Sequence, residues 1–178
     1  ATVFKARKKR GIDYLAVKRS PKEYRAKITN DVEFMYGVRH QNILRFYDWY
    51  ETGNHLYMIL EYCTGGDLLT LLQQDGCLPE STVLCMATDM MDGLRFVHSH
   101  GFVHCDIKLD GYLFNEDGVL KMSDFGFMQD ANACNVPGRD LGAAKPAPPP
   151  SAEGGKRKPN LFYMAPELFA CEGSFSVQ

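Results

Sequence analysis

The chain has 178 residues, 45% hydrophobic and 24% charged, which fits one globular domain with a real core and excludes a fibrous or wholly disordered chain. Twenty Lys and Arg against 22 Asp and Glu leave a formal charge of -2, so no global basic field points to nucleic acid or a membrane surface.

In chain order, "ATVFKAR" and "YLAVK" read as two strands of a hairpin, with Gly11 and Asp13 in the turn. The basic run Arg7-Lys8-Lys9-Arg10 falls at that turn and reads as a solvated surface cluster. From Pro21 to Val38 the period becomes helical, with Ile28, Val32, Met35 and Val38 at three- and four-residue steps. Two strands follow, "NILRFYDWY" and "HLYMILEYC", around the polar turn Glu51-Thr52-Gly53-Asn54. Asp67 is placed to cap a short helix through "LLTLLQQ", and Pro79 and Gly101 bracket a long amphipathic one. A short strand pair around "YLFNEDGVLKM" comes next, turned at Glu116-Asp117-Gly118. Residues 130–158 are rich in Pro, Gly, Ala and Lys and poor in large apolar groups, so that segment is expected to be disordered. Order is expected to resume at "LFYMAPELF", and there is no internal repeat.

Six cysteines, at 63, 77, 85, 105, 134 and 171, form no Cys-x-x-Cys pair, which argues against a zinc knuckle or a redox motif. Reduced thiols in a cytoplasmic protein are the simplest expectation. No apolar run approaches the roughly 18 to 20 residues that span a bilayer, and the N-terminus lacks the order of a signal peptide.

Four short motifs, each weak alone, occur in one order: "LAVK" on a strand, "HCD" followed by Lys108, Asp124-Phe125-Gly126, and "YMAPE". Together they resemble the protein-kinase signature set, which implies an α+β, two-lobed kinase-like fold. On that resemblance residues 1–62 are a partial N-lobe with the hinge, and residues 63–178 are a partial C-lobe carrying the 130–158 insert in its activation segment. An unrelated α+β module with accidental motifs is the remaining alternative.

The resemblance implies ATP and Mg2+ as cofactors, and it assigns roles residue by residue. Lys18 would meet the α- and β-phosphates, Asp124 would hold the metal, Asp106 would accept the substrate proton, and Lys108 would lie near the γ-phosphate. Glu61, Tyr62 and Cys63 would be the hinge whose backbone meets adenine, behind the gatekeeper Leu60. Val3, Ala16 and Leu113 would complete the nucleotide site. Met35, Phe46, His104 and Phe125 match an apolar column between the lobes, so His104 reads as a packing residue.

The departures from the family pattern bear on activity. Gly111 stands where the family has an Asn that holds a second metal, and the adjacent Asp110 is expected to point elsewhere in an extended loop. Asp31 takes the place of the helix glutamate that pairs with Lys18. It is one methylene shorter, while Glu33 lies about 200° further round the helix. Cys105 replaces an activation-linked Arg, only Ser151 offers a hydroxyl in the insert, Asn160 takes the place of a Thr, and Ala1 that of the third phosphate-loop glycine.

"DWYETGNHLYMILEYCTGGDLLTLLQQDGCLPE", the missing Asn and the "HCDI" loop bring the chain nearer to the Fused and Runkel type of Unc-51-like kinases. The resemblance to this group implies either a weakened serine/threonine kinase or a nucleotide-binding pseudokinase scaffold with microtubule- or cilium-associated partners. A cytoskeletal or ciliary location is a further expectation. Against the family, the chain reads as cut at the phosphate loop and again after Ala165-Pro166-Glu167. That leads to the expectation that the long helix exposes an apolar face and that the piece is poorly soluble.

Overall fold

The computed structural model describes residues 1–9, 11–131 and 163. The expected features at Arg10, Ser151, Asn160 and the Ala165-Pro166-Glu167 motif lie outside the described residues, as does nearly all of the 130–158 insert.

The first sheet has four antiparallel strands in the order β1-β2-β4-β3: β1 Thr2–Arg7, β2 Tyr14–Pro21, β3 Phe46–Glu51 and β4 His55–Glu61. In β4, Leu56, Met58 and Leu60 are buried at every second position, the period that turns one face of a strand to a core. Pro21 closes β2, and the expected helix then begins as a tight 3-10 turn, Lys22–Tyr24, before α1 runs over Arg25–Met35. Residues 42 to 45 are not strand, contrary to the expectation. Their backbone is drawn across to the lower half instead, where Leu44 N–H donates to Met122 at 2.9 Å and Met122 N–H to Asn42 at 2.8 Å.

Below the sheet lie α2 Leu68–Asp75 and α3 Glu80–Ser99. Asp67 caps α2 as expected, accepting from Thr70 N–H and Thr70 Oγ1, both at 2.8 Å, a contribution of about 1 kcal/mol. Strand β5 Phe102–Val103 follows α3, and β6 Tyr112–Phe114 pairs with β7 Leu120–Met122. The turn between β6 and β7 is organised by Asn115 Oδ1, which accepts from Asp117 and Val119 N–H. Strand β8, Gln129–Asp130, pairs with β5, so the expected disorder does not begin at residue 130; two ladder residues too short to show a period hide this strand in the sequence.

One core cluster crosses both halves: Ile28, Phe34 and Met35 from α1 join Met58, Val97, Tyr112, Met122 and Phe125. Gly65 shows why the chain has a glycine pair after β4, since a Cβ there would come within 2.6 Å of Phe114 Cβ. Among the described residues, no helix is long and apolar enough to cross a membrane.

Candidate functional site

A cleft of about 390 Å³ opens between the sheet and the β6–β7 hairpin. Ala16 and Lys18, two apart on β2, project from one face of the strand into it, with Leu60 beside Ala16 in the ladder and Val3 opposite Lys18. Leu113 of β6 lines the opposite wall, and Glu61, Tyr62 and Cys63 close one end as the chain leaves β4. All ten residues expected to bind nucleotide (Val3, Ala16, Lys18, Asp31, Leu60, Glu61, Tyr62, Cys63, Leu113 and Asp124) line this cleft. The Glu61 side chain turns out of it. Its carboxylate meets Lys121 Nζ at 3.2 Å and accepts Arg45 N–H at 3.1 Å, leaving backbone to the cleft. Burial pushes the Cys63 thiol up to about 11, so it stays protonated.

The other end is charged. Asp124 sits in the left-handed region at φ 63°, ψ 56°, where a short polar side chain is tolerated. Its neighbour Phe125 is fully buried and holds the turn, 4.8 Å from the Phe34 ring and 5.3 Å from His104. His104 is a packing residue, as expected: Asp106 N–H reaches its Nδ1 at 3.3 Å and Ser123 carbonyl lies 3.2 Å from Nε2. Burial lowers its pKa, which favours the neutral ring.

Lys18 Nζ lies 2.5 Å from Asp124 Oδ1. Burial would raise the Asp124 carboxyl, but the charge and hydrogen bond of Lys18, helped by Lys27 and Lys108, hold it at about 2. Asp31, projecting from α1 and only 2% exposed, has the opposite fate. Burial raises it to about 6 against the pull of Lys18, and its Oδ1 has no hydrogen-bond partner among the described residues. Glu33 is exposed, so of the two acidic residues on α1 it is the short Asp31 that faces the cleft.

Lys108 is the second cation, 5% exposed, with Nζ 3.3 Å from Asp106 Oδ2 and 3.8 Å from both Asp124 Oδ2 and Asp110 Oδ1. The expectation for Asp110 fails here. Leu109–Gly111 is a 3-10 turn rather than extended chain, and its tight curl returns the Asp110 carboxylate to Lys108 and the cleft. A Cβ at Gly111 would meet nothing closer than Lys108 Cγ at 3.7 Å, so the missing side chain leaves room rather than relieving a clash.

Sequence reasoning missed two contributors. Lys27, one turn before Asp31 on α1, lies over the Phe127 ring at 4.0 Å and fills the space where a Gly126 side chain would stand. The i, i+4 spacing from Asp31 was the available signal. Phe34 carries the ring contact to Phe125, and the helical stripe read through Met35 omitted it.

This lining suits a nucleotide: an apolar slot, the chain leaving β4 at one end and the Lys18 ammonium at the other, with Lys108 behind it. Among the described residues no three His, Cys, Asp or Glu side chains are grouped to hold a metal by themselves. Mg2+ is commonly held by one or two carboxylates with phosphate and water, and ionised Asp124 with Asp110 nearby meets that lesser demand.

The protein kinase domain family matches residues 1–176. The chain is 39% identical over 176 residues to serine/threonine-protein kinase RUNKEL of Arabidopsis thaliana, covering 99% of this chain and 12% of that protein. It is 35% identical over 173 residues to serine/threonine-protein kinase ULK4 of Mus musculus, 93% of this chain and 13% of that one. Serine/threonine-protein kinase 36 of Pongo abelii is 33% identical over 172 residues, again 93% of this chain and 12% of the relative. The chain thus spans about an eighth of the length of these curated relatives. With the family matched almost from end to end, the chain belongs to the protein kinase domain family.

Proposed function

We propose that the chain binds ATP and transfers its γ-phosphoryl group slowly to serine or threonine hydroxyls, as a Runkel-type member of the Unc-51-like kinases. The observation that carries this reading is the contact network of four charged residues: Lys18 and Asp124 line the cleft, and Lys108 and Asp106 lie behind its wall, linked to them by contacts of 2.5, 3.3 and 3.8 Å. Asp106 takes the hydroxyl proton as the oxygen attacks phosphorus and ADP leaves, while Lys18 and Lys108 offset the charge on the phosphoryl oxygens. Asp124 and Asp110 are the residues that would hold Mg2+, which when bound neutralises phosphate charge. Leu60, Ala16 and Leu113 exclude water from the base, and the backbone of residues 61 to 63 orients it.

Gly111 favours a second reading, a nucleotide-binding scaffold whose shape is read by microtubule- or cilium-associated partners in the cytoplasm. The resemblance to the Runkel type supports those partners and that location. Phosphotransfer to a Ser/Thr peptide mixture separates the two. We expect a low rate that Asp106→Asn abolishes without weakening nucleotide binding, and that Gly111→Asn raises tenfold or more, a Cβ at that position meeting nothing closer than 3.7 Å. No transfer from either the natural chain or Gly111→Asn, with ATP affinity equal in Mg2+ and in chelator, would overturn the kinase reading and leave the scaffold.

A further inference from the structure

A second cavity, of about 330 Å³, shares one residue, Glu61, with the nucleotide cleft. Its walls carry three basic side chains, Arg39, Arg45 and Lys121, against the single carboxylate of Glu61. This is a positive pocket on a chain whose formal charge is -2, so the patch opposes the average field of the molecule. The cations come from separate places: Arg39 from the connection after α1, Arg45 from just before β3, and Lys121 from β7.

Their pairing is incomplete. Among the described residues neither guanidinium has a carboxylate within ion-pair distance; Arg45 lies over the Tyr47 ring at 5.1 Å instead. Lys121 is 8% exposed and is held by Glu61 at 3.2 Å, one acceptor for three N–H donors. Tyr47, 46% exposed, adds an aromatic wall. Guanidinium forks and an ammonium arranged around an aromatic face recognise several carboxylates on one chain better than a lone anion, because each Arg donates two N–H groups to one carboxylate. The volume is at the small end of ligand pockets, roughly 300 to 1,000 Å³, enough for a few side chains of a peptide.

We infer that this pocket docks an acidic peptide segment of a partner protein and that Glu61 couples it to the nucleotide cleft. An incoming carboxylate competes with Glu61 for Lys121 and for the Arg45 side of the pocket. Glu61 is also tied to Arg45 through its own N–H at 2.9 Å, so displacing its carboxylate acts on the chain that leaves β4 for the nucleotide. Such coupling is reciprocal, so nucleotide should change peptide affinity by the same factor.

The test uses the whole 178-residue chain and fluorescein-labelled hexaglutamate, read by anisotropy, with hexaglutamine as the neutral probe. We expect hexaglutamate to bind at least tenfold more tightly than hexaglutamine. The double variant Arg39→Ser, Arg45→Ser should lose at least tenfold with its melting temperature unchanged, both residues being exposed. Lys8→Ser with Lys9→Ser, in the β1–β2 turn, should bind as the natural chain does. Equal binding of the two peptides, full affinity in the double variant, or an equal loss in the Lys8 and Lys9 variant each overturns the docking site. Saturating hexaglutamate should shift the affinity for an ATP analogue at least threefold, and not in Glu61→Gln; peptide binding without that shift overturns the coupling. The coupling alone rests on the nucleotide reading: a chain that binds peptide and no nucleotide refutes that reading and leaves the docking site standing.

Discussion

Asp31 and Asp124 share a cation yet are driven in opposite directions. Asp124 is bonded to Lys18 and held at about 2, below its ordinary 3.8, so its stabilising contribution is present above about pH 4 and fades as pH falls through 2. That contribution is on the order of 2 kcal/mol. Asp31, buried with an unpartnered oxygen and raised to about 6, works the other way. Its contribution is complete below about pH 4 and is lost as pH rises through 6, because the folded state must then strip a proton from a desolvated carboxyl. Asp31→Asn removes that cost while keeping the shape. Urea denaturation should show the variant more stable than the natural chain by about 2 to 3 kcal/mol at pH 8 and equal to it at pH 4. A difference that is the same at both values would mean that Asp31 does not titrate in this range. The period of α1 places Asp31 rather than Glu33 on the inward face, but the partner Lys18 takes depends on Asp124, 106 residues away in the chain.

At the scale of elements, α3 and the strands beside it are joined by close backbone approach. Gly93, mid-helix, would be expected to gain about 1 kcal/mol of helix propensity on substitution by Ala. A Cβ there would stand 3.1 Å from the Asn42 carbonyl oxygen, which already accepts Met122 N–H at 2.8 Å. That oxygen cannot withdraw without breaking the link between the upper and lower halves. Gly93→Ala should therefore lower stability by about 1 to 2 kcal/mol in a thermal melt, and a rise in melting temperature would show that the contact yields. The long elements were legible because each repeats its period several times: the hairpin, β4, α2 and α3 all lie where the pattern puts them. Strands β5 and β8 were not, since two residues carry no period, and the stretch before β3 was misread because its bonds go to β7 rather than to a sheet neighbour.

Over the whole molecule, the apolar surface is unevenly covered. On α3 only Gly93 and Val97 are buried, while Val83, Leu84 and Met91 stay 48%, 68% and 58% exposed. Exposed apolar groups on one helix favour association of chains. Leu84→Ser with Met91→Ser should shift the sedimentation profile of the chain toward monomer and raise its solubility, and an unchanged profile would mean that α3 is not the adhesive face. The amino-acid sequence by itself determined the hairpins, the main helices, the Asp67 cap and ten of the residues that line the cleft, because periodicity, turn chemistry and motif order act over short distances. Only the tertiary structure decided which charges meet. It set Lys18 on Asp124, left one oxygen of Asp31 without a partner, curled Asp110 back to Lys108 and turned Glu61 toward Lys121, because the groups involved come from segments that local rules treat separately.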